Sequence, residues 1–347
     1  MRRVLAVVAA VGMVAGSLLL RDRLDRRDEE RSQTLRLTCG LELEQACRRI
    51  VEAAGSGRIA LTVEPAGTTA DRLATVGDDP GLDGWLAPEP WPGIVDGRRR
   101  AAAMPVLFGG SRPTLARSPL VLVVWKDRAA ALAGRCGGPP GWRCLGEAAA
   151  AGPWTASGGR PEWGPLKPGH GDPGSDGVGL LVLGQAVAGW FGRSDVSAGD
   201  LDDDAFARWF SALERAVPPS PTSPLELMLA AGPAAYDATG TTEAEAGPLL
   251  SRSARRASVD VLYPSPMATA DVVLATTGTA SAASSLRRLV SGEDGRHALA
   301  EDGWRVPGQP RAEGVGDSPP VPPTTGLPSG GLLDALRSRW REVTGRR

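Results

Sequence analysis

The chain has 347 residues with 39 basic against 40 acidic side chains, a formal net charge of −1, which argues against a nucleic-acid binder. At 42% apolar and 23% charged it is neither a disordered polyelectrolyte nor a coiled coil, and its length allows one large or two medium domains. Histidine occurs only at His170 and His297, and no HExxH, GxSxG, CxxC or GxxxxGK[ST] pattern is present, so the familiar metalloenzyme, hydrolase and nucleotide-binding chemistries lose support.

After Met1-Arg2-Arg3, residues 4–20 carry no charge, and a charged stretch follows from Arg21 to Arg31. This is the pattern of an export or anchoring signal. As a helix the run rises roughly 25 Å, and snorkelling arginines at both ends extend it toward the ~30 Å hydrocarbon core. Residues 1–31 are therefore expected to form a signal anchor, a single membrane pass, with the body outside the cytoplasm. Cleavage after Ala15-Gly16-Ser17 would instead secrete it. Arginines on both flanks leave the orientation undecided.

Residues 34–38 alternate as a strand, run into Cys39-Gly40, and give way to Leu43, Ala46, Cys47, Ile50 and Val51 at helical spacing. Ile59, Leu61 and Val63 make a second strand, Thr68 or Thr69 caps a short helix through Val76, and residues 83–88 read as a third strand. Strands alternating with helices imply an α/β fold with a mainly parallel sheet. Residues 118–125 are nearly continuous in apolar side chains, as expected of a strand buried on both faces.

Cys39 and Cys47 are eight apart, as are Cys136 and Cys144, and the second pair brackets the turn-forming Gly137-Gly138-Pro139-Pro140-Gly141. Two local disulfides are the natural pairing, although four cysteines allow three connectivities and four free thiols remain an alternative. Each bridge would contribute roughly 2–3 kcal/mol. No histidine lies near either pair, so no metal site is expected, and disulfides favour an exported body.

A Gly/Pro-rich stretch over 152–174 opens an apolar helix at 178–190. Helices at 202–217 and 225–231 lead to a strand at 235–239, then strands at Val259-Val261-Tyr263 and 271–275, and helices at 280–290 and 293–301 with Gly303 as C-cap. Residues 308–331 read as a Pro/Gly-rich linker. Over 332–345 an amphipathic helix places Leu332, Leu336, Trp340 and Val343 on one stripe, with Arg337, Arg339 and Arg341 on the surface. That helix either docks on the body or contacts a partner or membrane.

The order of elements resembles the type 2 periplasmic (extracellular solute) binding proteins, particularly the molybdate-type and related branches. Three stretches carry the likeness: residues 167–179, with Asp172-Pro173 and a Ser/Gly-rich turn; residues 229–243, with Gly232-Pro233 and Thr241-Thr242-Glu243; and Val261-Leu262-Tyr263-Pro264 through the helical run to Gly303-Trp304. The resemblance implies a two-lobed α/β fold with two crossovers between lobes, lobe one over 34–125 plus 260–307 and lobe two over 126–259. A small polar solute would be clamped between them.

Ser175, Asp176 and Gly177 are the candidate helix mouth, where backbone N–H groups would meet an oxygen-rich ligand. Asp176 would repel an oxyanion there, so either it caps the helix sideways or the ligand is not an anion. In lobe one, the Cys39-Gly40 turn stands where oxyanion binders of the family carry Ser, and Trp85, Ala87 and Pro88 belong to a second loop, where Trp85 either stacks on a ligand or packs in the core. Glu243 and Tyr263 are candidates near the hinge, while His170 is expected to be exposed. No nucleophile is paired with a base, so neither a reaction nor a cofactor is expected. The expected function is an extracytoplasmic solute-binding module, with a transporter or envelope protein as partner. The alternative is an envelope interaction scaffold that keeps the fold without a ligand.

Overall fold

A computed structural model describes residues 34–55, 57–220, 223–310, 315 and 319–346, so the expected N-terminal anchor lies outside the described residues. Eight strands form one mixed sheet: β1 (Leu35–Cys39), β2 (Ile59–Val63), β3 (Gly84–Glu89), β4 (Thr114–Trp125), β5 (Pro168–Gly169), β6 (Ala238–Thr242), β7 (Val259–Leu262) and β8 (Thr269–Thr276). Their order is β2-β1-β3-β8-β4-β6-β5, and β7 also pairs with β4. β1 is parallel to β2 and β3, while β8 returns antiparallel between β3 and β4.

The long β4 joins the two halves of this sheet. Its residues 114–119 pair with β8, and from Leu120 onward it pairs with β6 and β7. Strand side chains alternate between faces. Leu120, Leu122 and Val124 accordingly enter the main core, while Val121, Val123 and Trp125 enter a second cluster with Leu225, Met228 and Tyr236. An apolar run without alternation is what two buried faces require.

The helices are α1 (Glu44–Ala54), α2 (Ala66–Thr75), α3 (Trp91–Ala101), α4 (Lys126–Cys136), α5 (Trp142–Ala151), α6 (Gly179–Phe191), α7 (Asp204–Ala216), α8 (Pro224–Ala231), α9 (Glu243–Arg252), α10 (Ala280–Ser291), α11 (Glu293–Glu301) and α12 (Gly330–Thr344). The apolar α6 is buried from Gly179 through Ala188, which accounts for its lack of a polar face. Both expected bridges form, Cys39–Cys47 from the end of β1 into α1 and Cys136–Cys144 between α4 and α5.

Several expectations are corrected. Pro65 occupies the N-cap of α2, and Thr69 turns its hydroxyl back to the Pro65 carbonyl at 3.3 Å. The strand expected at 235–239 begins only at Ala238, because Gly232–Ala234 first form a 3-10 turn. The described part of the linker is pinned to the body: Thr269 N donates to Thr325 O at 2.8 Å, and Arg117 Nη1 to Pro322 O at 2.9 Å. The C-terminal helix docks on α3, α6 and α7. Its Arg337 is completely buried, not on the surface, because the Asp71 carboxylate and the Gly67 and Gly174 carbonyls satisfy its guanidinium.

Candidate functional site

Three helix starts meet where the two halves of the sheet face each other. Beyond the carboxyl end of β1, the chain turns at Gly40 through a short 3-10 turn (Leu41–Leu43) into α1, and the Cys39–Cys47 bridge ties that turn to the helix. Beyond β6, Thr242 caps α9 by accepting Glu245 N at 3.1 Å. Ahead of α6, Asp176 Oδ1 accepts Val178 N at 2.8 Å and Gly179 N at 2.7 Å. A cavity of about 400 Å³ opens between these starts, with the first turn of α8 and Asp302 on its walls. A second, of about 390 Å³, shares Leu41, Gly171 and Asp176 with it. Crevices at the carboxyl ends of strands are the usual ligand sites of open α/β sheets.

Carboxylates line the first cavity. Glu42 lies between the two halves, its carboxyl so close to Gly40 and Gly177 that a Cβ at either would fall 2.3 or 2.4 Å from Oε1. Only glycines leave room for it. Glu42 Oε1 is sealed from solvent and has no hydrogen-bond partner. Burial, reinforced by the nearby Asp176 charge, pushes this carboxyl up to about 8.

Glu245 accepts from the Ser223 and Thr241 hydroxyls, yet burial still raises it, with Asp176 adding to the effect. Burial also raises Asp176 against its two backbone N–H donors, and lifts Asp302 to about 6. Two of the three helix N-termini, those of α6 and α9, are thus already occupied by the protein's own acceptors, Asp176 and Thr242.

His170, at the edge of the second cavity, is 5% exposed and so buried, contrary to expectation. Its Nδ1 faces the Gly171 carbonyl at 2.7 Å and its Nε2 faces Glu214 Oε2 at 3.1 Å. Burial lowers its pKa, but the buried Glu214 carboxylate outweighs that and the net direction is up.

Contacts between the halves stitch one side of the cleft. Trp91 Nε1 donates to Gly177 O at 2.9 Å, and Gly67 N to Ser175 O at 2.8 Å. Arg337 Nε donates to Gly174 O at 3.0 Å, its two terminal nitrogens reach Asp71 at 2.6 and 2.8 Å, and its Cζ stands 5.4 Å over the Trp91 ring.

Of the residues singled out by sequence, Gly40, Ser175, Asp176 and Gly177 come together at the cleft. Trp85 and Ala87 are fully buried in β3 with Pro88 in the same strand, and Trp85 packs on Phe108. Glu243 accepts from Tyr263 Oη at 2.6 Å and from Arg305 Nε at 2.7 Å, forming a separate polar cluster. Of the acids that line the cavity, Glu42, Glu44, Glu226, Glu245 and Asp302 are not marked by the sequence as site residues. A signal existed for Glu245, since Thr242-Glu243-Ala244-Glu245 is a capping-box pattern.

Residues 35–305 match the family model described as bacterial extracellular solute-binding protein. In structure the chain resembles the ferric binding protein from Campylobacter jejuni, with TM-score 0.60 and 9% identity over 90% of this chain and 98% of that one. It also resembles a periplasmic thiamin binding protein, with TM-score 0.58 and 12% identity over 91% and 96% of the two chains. A third likeness is to the periplasmic binding protein AfuA from Actinobacillus pleuropneumoniae with fructose-6-phosphate bound, TM-score 0.58 and 10% identity over 90% and 99%. No curated protein matches in sequence.

Proposed function

The chain belongs to the bacterial extracellular solute-binding proteins, and on that premise we propose that it clamps a small solute in the cleft between two α/β lobes. Lobe one comprises residues 34–125 with 260–307, and lobe two residues 126–259. The observation that supports this most is the 400 Å³ cavity at the strand ends, walled by the β1–α1 turn on one side and by the β6–α9 and α6 starts on the other. The chain binds and releases, with no chemical step. Gly40, Ser175, Asp176 and Gly177 sit at the clamp, while Glu243 and Tyr263 serve its hinge with Arg305.

The two disulfides suit an oxidising compartment outside the cytoplasm. Among the described residues no helix is long and apolar enough to cross a membrane, so tethering or export rests on residues 4–20. A membrane transporter that accepts the released solute is the partner such a clamp calls for. The molybdate-type branch fits poorly, because position 40 lacks the hydroxyl and Asp176 fills the α6 mouth.

A thermal-shift panel of anionic, neutral and cationic solutes on the full chain tests the clamp. A ligand at about 100 times its Kd adds roughly 2.7 kcal/mol. Saturable stabilisation by one class is expected. Silence across all classes would remove the clamp reading.

A further inference from the structure

The fold does not choose the charge of its cargo, since its likenesses include proteins named for ferric ion and thiamin and one with fructose-6-phosphate bound. The cleft of this chain does. Resting on the clamp reading, we propose that the solute is an organic cation, an amine or ammonium with an apolar flank, whose positive group is met by Glu42, Asp176 and Glu245.

Two independent features support this. Glu42 Oε1 is a buried acceptor left without a donor, in a slot that glycines from both sides keep open for its carboxyl. A positive group brought beside it by the solute would favour the ionised carboxylate; an anion there would disfavour it further. The rest of the wall agrees in sign. Glu226 and Asp302 add carboxylates, and Glu44 is already paired with Arg48. Against them, among the described residues, stand only Arg252 on this cavity, and His170 and Arg346 on the second, where His170 is held by Glu214 and Arg346 donates to Val217 O at 2.8 Å.

Size and surface narrow the class. The 400 Å³ volume suits a small organic solute, and Leu41, an exposed large hydrophobic residue at 49%, offers an apolar wall beside the acids. Charge capture also couples to protons. Glu42 holds its proton up to about 8, so a cation that binds its carboxylate displaces that proton. Affinity then rises with pH below about 8 and levels off above it.

Titration calorimetry of the full chain with putrescine, choline and L-arginine, and with sulfate and glucose at matched ionic strength, decides the matter. At least one cation is expected to bind saturably, with affinity up to roughly tenfold higher per pH unit between 6 and 8. Glu42→Gln should weaken it roughly 10- to 100-fold and flatten the pH dependence above about pH 6, where Asp302 leaves only a small part of it. Glu245→Gln is the second variant and should weaken binding without removing that dependence. Each variant's fold is checked by circular dichroism, and Glu42→Gln should melt no lower than the parent because it removes a buried acid. Binding of sulfate or glucose alone, unchanged in Glu42→Gln, would overturn the cation while leaving the clamp standing. Silence of every probe would overturn both.

Discussion

Two acids sit between the halves of this molecule in opposite circumstances. Asp71, on α2, is pushed up by burial, but Arg337 and Arg98 more than reverse this and hold it at about 2. Glu42, after β1 in the same lobe, has no resident cation and rises to about 8. The protein threads an arginine from its C-terminal helix into one acidic contact and leaves the other open. A protein that needed only to join its halves would gain from pairing both, because an unpartnered buried acid costs stability. The difference marks Asp71 as part of a permanent fastening and Glu42 as part of a place that something else completes.

Removing the fastening should have the largest effect. Arg337→Ala leaves the Gly174 carbonyl unanswered and Asp71 with fewer partners, and is expected to lower unfolding free energy by about 3 kcal/mol in urea denaturation. Arg337→Lys should recover less than half, since an ammonium lacks the planar fork that reaches Asp71 and Gly174 together. Full stability in Arg337→Ala would break the distinction between the two acids.

The pH profile sharpens it next. Glu42 binds its proton more tightly folded than unfolded, so its contribution is present below pH about 4.5 and is lost as pH rises through about 8. His170, Asp176, Glu245 and Asp302 are raised too and share this sign. Glu42→Gln should remove roughly 2–4 kcal/mol of the fall between pH 5 and 8, read from denaturation midpoints. Asp71 has the opposite sign: its contribution is present above the ordinary carboxylate range and is lost as pH falls toward about 2.

Smaller effects follow from the elements that position Glu42. Replacing Cys39 and Cys47 together by Ser frees the Gly40 turn and should cost about 2–3 kcal/mol in thermal or urea unfolding, with Cys136–Cys144 intact as control. Trp91→Phe keeps the ring under Arg337 but loses the donor to Gly177 O, for about 1 kcal/mol. Amide exchange at Val178 and Gly179, whose N–H groups Asp176 caps, should quicken in that variant if Trp91 steadies the α6 mouth.

Much of this architecture is written in local pattern. Alternation marks β1, β2 and β7, the doubly buried β4 shows as an uninterrupted apolar run, and the eight-residue spacing brings each cysteine pair into one bridge. The order of these elements leads to the solute-binding family, and position 40 with its missing hydroxyl already weighs against an oxyanion. These properties are set by residues close together in the chain, where period and turn chemistry act directly.

The partner of each charge was decided only in three dimensions. Arg337 has surface spacing on its own helix, yet it is buried because Asp71, 266 residues earlier, and the Gly174 loop close over it. Glu243 and Glu245 look equally placed after β6, but the packing of Tyr263 and Arg305 takes the first and the cavity takes the second. Periodicity gives a side chain's direction on its own element; what waits in that direction is set by chain folded back from far away, and with it whether an acid is paired or left open.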